Sequence, residues 1–215
     1  MPSIRQSLST SLSALTRASG AGLRMLVAFT LLLGVAYPLA VTAVTTLAFP
    51  WQAAGSLVTA DGERTTARAD AAASALIGQD FEGDEWFHSR PSAAGDGYDP
   101  LASGGSNLGP ESEALVATIS ARIDKVAARE GVTAAEVPAD AVTASGSGLD
   151  ASISPAYAAL QVERVAAARG LEPAAVERLV ADATHARTLG VLGDTHVDVI
   201  ALNISLERLA PADTM

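Results

Sequence analysis

Cysteine is absent from all 215 residues. That excludes disulfides, thiolate zinc sites and cysteine nucleophiles, and leaves the redox compartment open. Aromatic residues are scarce, at 4%, so the core must be built from small aliphatic side chains that each bury little area. Basic residues are outnumbered: 14 Lys and Arg stand against 24 Asp and Glu, for a formal charge of −10. Phosphate backbones are bound through Lys and Arg, so this balance argues against nucleic acid as a partner.

Charge is missing altogether from Met25 to Phe49, MLVAFTLLLGVAYPLAVTAVTTLAF. A helix of this length spans a hydrocarbon core of roughly 30 Å. The run holds twelve Leu, Val and Phe residues; at roughly −0.3 to −0.6 kcal/mol each, they contribute at most about −4 to −7 kcal/mol to insertion. A cleaved signal peptide fits less well. Its apolar region is shorter, and Pro50 and Trp51 stand where a small-x-small cleavage site belongs. Trp51 suits an interfacial anchor, and Pro38 is expected to kink the helix. Residues 23–49 therefore read as one transmembrane helix in a lipid bilayer. The first 24 positions hold Arg5, Arg17 and Arg24 and no acid, and all 24 acids follow. The positive-inside rule puts the N-terminus in the cytoplasm and the chain after Trp51 outside. Residues 1–22, rich in Ser and Ala, read as a flexible cytoplasmic tail, and 50–215 as an extracytoplasmic domain.

That domain reads as α+β, with a small β-sheet and about three helices. Gly55–Val58 suits a short strand and Thr59–Gly62 a turn; Ala69–Ile77 fits strand or helix. After Pro110, Glu111 and Glu113 suit a helix N-terminus. Leu115, Ile119, Ile123 and Val126 share a face, and Gly131 can end the helix. Ser154-Pro155 is an N-cap with proline at the first helical position, and Gly170 is the matching stop. A third helix begins near Pro173, with Val176, Leu179, Val180 and Ala183 on one face. From His196 to Glu207, Ile200, Leu202, Ile204 and Leu206 alternate with Ala201, Asn203 and Ser205, which predicts a half-buried strand.

No reaction emerges from the motifs. His88, His185 and His196 are far apart in sequence. No G-x-x-x-x-G-K-S/T or G-x-S-x-G occurs. Asp80, Glu82, Asp84 and Glu85 lack Ca²⁺-loop spacing and read as a solvated face. The stretch His88–Pro110, HSRPSAAGDGYDPLASGGSNLGP, has the vocabulary of an active site but no activated nucleophile. Loops this long are often functional, so it reads first as a partner-binding loop, with a purely structural loop as the alternative. Within it, Ala102-Ser-Gly-Gly-Ser106 echoes Ala144-Ser-Gly-Ser-Gly148, which reads as two separate demands for positive φ.

An ordered set of short motifs carries a resemblance. It comprises Gly78-Gln79-x-Phe81, Trp86-Phe-His-Ser-Arg-Pro-Ser-Ala93, Tyr98-Asp-Pro100, Ala102–Leu108, Val142–Asp150, Ile153-Ser-Pro155, Gln161-Val-x-Arg164, Ala168-Arg-Gly170 and Leu202-Asn203. In this order they closely resemble the C subunit of the Kdp potassium-transporting ATPase, from about Arg24 to Leu209. Asp198 departs from the Asn usual in that family. The resemblance implies a non-catalytic accessory subunit of an ATP-driven, high-affinity K⁺ import complex in the cell membrane. Its partners would be a channel-like K⁺-binding subunit and a P-type ATPase subunit. The phosphorylated Asp of D-K-T-G-T belongs to the latter and has no counterpart here. The subunit would act as a catalytic chaperone that raises the pump's affinity for ATP. Gln161 and Arg164 are the nucleotide-contacting residues the family implies; the residues alone read first as a loop-bonding Gln161 and an Arg164 paired with an acid. The charge reading places both outside the cell, away from ATP, which makes the effect on ATP use indirect. Apart from the resemblance, a stand-alone membrane-anchored extracytoplasmic binding domain fits the same residues.

Overall fold

The computed structural model describes residues 4–211; residues 1–3 of the expected tail and the last four residues lie outside the described residues. The chain divides into two compact units, Met1–Ala54 and Gly55–Met215.

The first unit is helical. Helix α1 (Ile4–Leu31) passes through a π-helical turn (Leu32–Ala36) into α2 (Tyr37–Ala48), and a single turn, α3 (Pro50–Ala53), follows. The stretch expected to be a flexible tail is thus helical from Ile4. Extending a helix already nucleated by the apolar run costs far less than starting one. The apolar helical stretch Ala14–Ala48 is long enough to cross a membrane, and its side chains are not buried within the chain. Pro38 meets the helix where the π-turn ends. Proline has no N–H and its ring crowds the carbonyl four residues back, here Gly34, so a widened turn removes the clash. Tyr37 N–H bonds to Leu32 O in the i→i−5 pattern. Thr42, Thr45 and Thr46 return their hydroxyls to the carbonyls of Pro38, Val41 and Thr42 at 2.7–2.9 Å, so these donors are paired within the helix itself.

The second unit is α+β. Strands β1 (Leu57–Val58) and β2 (Ala73–Ser74) form an antiparallel pair. Helix α4 (Glu113–Glu130) ends on Gly131 in the left-handed conformation. Strand β3 (Ser152–Ile153) leads into α5 (Pro155–Arg169), then α6 (Pro173–Asp182), β4 (Thr184–His185), β5 (His196–Asp198) and α7 (Val199–Leu209). The second sheet is antiparallel in the order β3-β5-β4. The three helices expected from the sequence stand where their caps put them. Ser154 Oγ accepts from Tyr157 N at 3.0 Å, and Gly170 closes α5 at φ 62°.

The expected strand from His196 to Glu207 is a strand for only three residues and then becomes α7. Its alternating pattern also contains Val199, Leu202, Asn203 and Leu206 at i, i+3, i+4 and i+7, and the helix buries those four. Asp198 makes the switch: its Oδ1 accepts from Ala201 N at 3.0 Å, an N-cap that Asn would also provide.

The core is aliphatic, as the scarcity of aromatics predicts. Val126, Val162, Val165, Val176, Val197, Val199, Leu202 and Leu206 pack around Phe87 and Tyr157. Phe87 lies on no helix or strand, so side chains must hold it in place.

Candidate functional site

Asp84–His88 crosses the second unit without joining a sheet. Each of its five successive carbonyls accepts a hydrogen bond from a side chain. Arg164 Nη1 donates to Asp84 O at 2.5 Å and to Trp86 O at 3.0 Å. Arg169 Nε donates to Glu85 O at 2.8 Å, with its guanidinium 4.3 Å over the Trp86 ring. Asn203 Nδ2 donates to Phe87 O at 2.9 Å, and Gln161 Nε2 to His88 O at 3.2 Å. Two of the N–H groups are held by the same amides: Phe87 N donates to Asn203 Oδ1 at 2.9 Å and His88 N to Gln161 Oε1 at 2.7 Å. The donors come from α5 and α7, and their side chains do the work of a neighbouring strand.

Gln161 and Arg164 meet here, as their i, i+3 spacing requires. Arg164 Nη2 donates to Gln161 Oε1 at 2.8 Å, while its Nε reaches both oxygens of Glu130 at 3.0 and 3.2 Å. Glu130 also accepts from Arg129 Nε at 2.8 Å, and Arg129 Nη1 donates to His88 Nδ1. His88, Gln161, Arg164, Glu130 and Arg129 therefore form a closed polar ring. The Glu130 side chain is fully buried and that of Arg164 is 8% exposed, while Gln161 is fully buried. A carboxylate at the C-terminus of α4 opposes the helix dipole, and the two guanidinium groups compensate for it.

The ring fixes the tautomer of His88. A carbonyl only accepts, so Nε2, 2.7 Å from Gly83 O, carries the proton, and Nδ1 is left to accept from Arg129. Burial lowers the His88 pKa, reinforced by Arg129 and Arg164 and opposed by the Gly83 bond and Glu130. Burial also raises the pKa of Tyr157, whose hydroxyl accepts from Arg129 Nη2 at 3.2 Å. A cleft of about 550 Å³ lies beside His88, and Asp80, Glu82 and Asp84 line it together with Arg122 and Lys125 of α4.

The loop after His88 is also tied down. Ser92 Oγ donates to Gly148 O at 2.7 Å and accepts from Ala94 N and Tyr98 N at 3.1 and 2.8 Å. Arg90 pairs with Asp150 at 2.9 Å, and the Tyr98 hydroxyl donates to Arg90 O. Burial pushes the Tyr98 pKa up to about 12, which keeps that donor protonated. The two Ser/Gly echoes prove to be one feature. Gly104 N and Ser103 Oγ both donate to Ser147 O, at 2.8 and 2.9 Å. A Cβ on Gly148 would come within 2.8 Å of Gly104 O. The second of the two loop readings, a structural loop, describes these bonds.

The sequence singles out Gln161 and Arg164; Arg169 and Asn203 stand in it only within the motifs Ala168-Arg-Gly170 and Leu202-Asn203, and Glu130 and Arg129 carry no site signal. The Asn203 clamp was hidden because the residue was assigned to the polar side of a strand. Folding brings His185 and His196 side by side and leaves His88 in the ring. Among the described residues, no group of three or more His, Asp or Glu gathers as a metal cluster.

A family model described as "KdpC: K+-transporting ATPase, c chain" matches residues 19–208. Proteins described as potassium-transporting ATPase KdpC subunits align over most of the chain. The one from Kineococcus radiotolerans is 50% identical over 204 residues, covering 95% of this chain and 100% of the relative. That from Gemmatimonas aurantiaca is 52% identical, covering 86% and 90%. That from Mycobacterium tuberculosis is 49% identical, covering 87% and 96%. A match spanning the apolar helix, the latched segment and all four helices of the second unit places this chain in the KdpC family of K⁺-transporting ATPase subunits.

Proposed function

We propose that the chain is the non-catalytic accessory subunit of an ATP-driven K⁺ import complex. It assembles with a channel-like K⁺-binding subunit and a P-type ATPase subunit, and raises the pump's affinity for ATP as a catalytic chaperone. The N-terminus lies in the cytoplasm and the second unit outside, as the charge asymmetry favours. The observation that carries the reading is the match to KdpC subunits over nearly the whole chain.

The polar ring bears on how ATP enters. Gln161 and Arg164 direct their polar atoms to His88, Glu130, Asp84, Trp86 and each other. Direct contact with nucleotide would require both side chains to leave the ring and Glu130 to stay buried without Arg164, which is strongly unfavourable. An effect transmitted through the partner subunits needs no such rearrangement and agrees with an external position. The acidic surface of the second unit also suits a place over the entrance of the K⁺-binding subunit, where it would concentrate cations.

The test is K⁺-stimulated ATP hydrolysis by the detergent-purified complex with and without this chain, across ATP concentrations. The reading expects a higher KM for ATP without the chain. An unchanged KM would remove the chaperone role, and failure to co-purify with large membrane subunits would favour a stand-alone anchored domain.

A further inference from the structure

The hairpin formed by β4 and β5 carries a pair of imidazoles that the ATPase role does not use. His185 and His196 are directly paired across the strands, with ring centroids 5.4 Å apart and planes inclined by 35°. Both line a cleft of about 860 Å³, together with Asp198, Asp150 and Ser152.

The nitrogens are available for ligation. His196 Nδ1 lies 2.9 Å from Asp194 O. Because that oxygen only accepts, Nδ1 carries the proton and Nε2 keeps its lone pair. An imidazole held by a backbone carbonyl on one nitrogen is the usual arrangement for metal ligation through the other. His185 is exposed, and its side chain makes no hydrogen bond among the described residues.

The spacing suits one shared ion. With metal–nitrogen bonds of about 2.0–2.1 Å, the ion sits roughly 3.2 Å from each ring centre, and a tetrahedral angle then separates the centres by about 5.3 Å. The hairpin fixes this spacing in advance. Thr184 pairs with Val197, Thr188 N donates to Leu192 O at 2.9 Å, and Arg187 pairs with Asp194 at 2.8 Å.

We infer that His185 and His196 form a two-histidine site for a borderline divalent transition-metal ion of the Zn²⁺ class, with water completing the coordination. The ion would clip edge strand β4 to central strand β5, immediately before the Asp198 cap of α7. Metal bound to the native state alone stabilises it by mass action.

The experiment uses the full chain in detergent, without a histidine tag, titrated with Zn²⁺ by calorimetry near neutral pH and followed by thermal unfolding. The expected result is one saturable site per chain and a rise in Tm reversed by EDTA. His185→Ala and His196→Ala should each weaken binding at least as much as the roughly 10- to 100-fold lost when a second-shell partner is removed. Both residues lie away from the core, so the variants should fold. No saturable binding at millimolar Zn²⁺, or binding that survives either substitution in the pair, overturns the site.

Discussion

Gln161 and Asn203 clamp consecutive peptide groups. Each buried amide, one from α5 and one from α7, accepts the N–H and donates to the C=O of a single residue, His88 and Phe87 respectively. The pair anchors the one fully buried phenylalanine to two helices at once.

Gln161→Ala should therefore act first on stability. It strands the half-buried N–H and C=O of His88, at about 1–3 kcal/mol for a lost partner. Thermal unfolding of the full chain should show a lower Tm in the absence of nucleotide. If Gln161 served only to bind nucleotide, Tm would not move and only the KM for ATP would change.

Arg164→Ala should cost more, up to about 3–5 kcal/mol, because it leaves the fully buried Glu130 with Arg129 as its remaining counter-charge. Adding Glu130→Gln removes that charge and should restore part of the loss. A double-mutant cycle by denaturant unfolding checks it; additive losses would mean the two residues are not coupled.

Stability should fall with acid through His88. Its folded pKa lies below the ordinary value of 6.5, so the unfolded chain binds more protons and protonation opposes folding. The contribution is fully present above pH 6.5 or so and is lost as pH falls through the lowered folded value. Protonated Nδ1 would then face the Arg129 guanidinium, donor against donor. His88→Gln should flatten the fall in Tm between about pH 7 and 5. A slope identical to that of the natural chain would assign the effect to other groups.

Two neighbouring glycines should behave oppositely. A Cβ on Gly148 would come within 2.7–2.8 Å of Ala94 and Gly104 at a φ of +69°, whereas one on Gly146 meets nothing within 4 Å. Gly148→Ala should destabilise by about 1–3 kcal/mol through crowding, with left-handed strain added. Gly146→Ala should be close to neutral. Equal effects would mean that the two Ser/Gly stretches do not lie against each other in solution.

The absence of cysteine makes the orientation directly measurable. Ala117→Cys on α4 and Ser19→Cys on α1 each place one thiol at an exposed position. A membrane-impermeant maleimide added to intact cells should label only the first, and label the second after permeabilisation. The reverse pattern would invert the proposed topology.

The ends of α5 were legible because their signals are local: Ser154 caps and Gly170 terminates whatever surrounds them. The start of α7 was not. Its apolar residues satisfy both a two-residue and a 3.6-residue period, and only the core selects between them. Gln161 was found by resemblance, yet its burial was readable: it lies four residues after Tyr157 and four before Val165, on the same face of α5. Its partners were not readable. His88 reaches Gln161 across 73 positions of sequence and Glu130 reaches Arg164 across 34, and no periodicity records such pairings. The Ser/Gly echo was visible, but that its two copies touch was a fact of folding alone.

The segment from Asp84 to His88 has a consequence for what the chain tolerates. A strand in a sheet can shift by two residues and find equivalent partners, because every rung offers the same N–H and C=O. Here Arg164 serves Asp84 and Trp86, while Arg169, Asn203 and Gln161 serve one carbonyl each, so no displaced alignment is equivalent. A single inserted or deleted residue in this stretch would unmatch every carbonyl on one side of it at once.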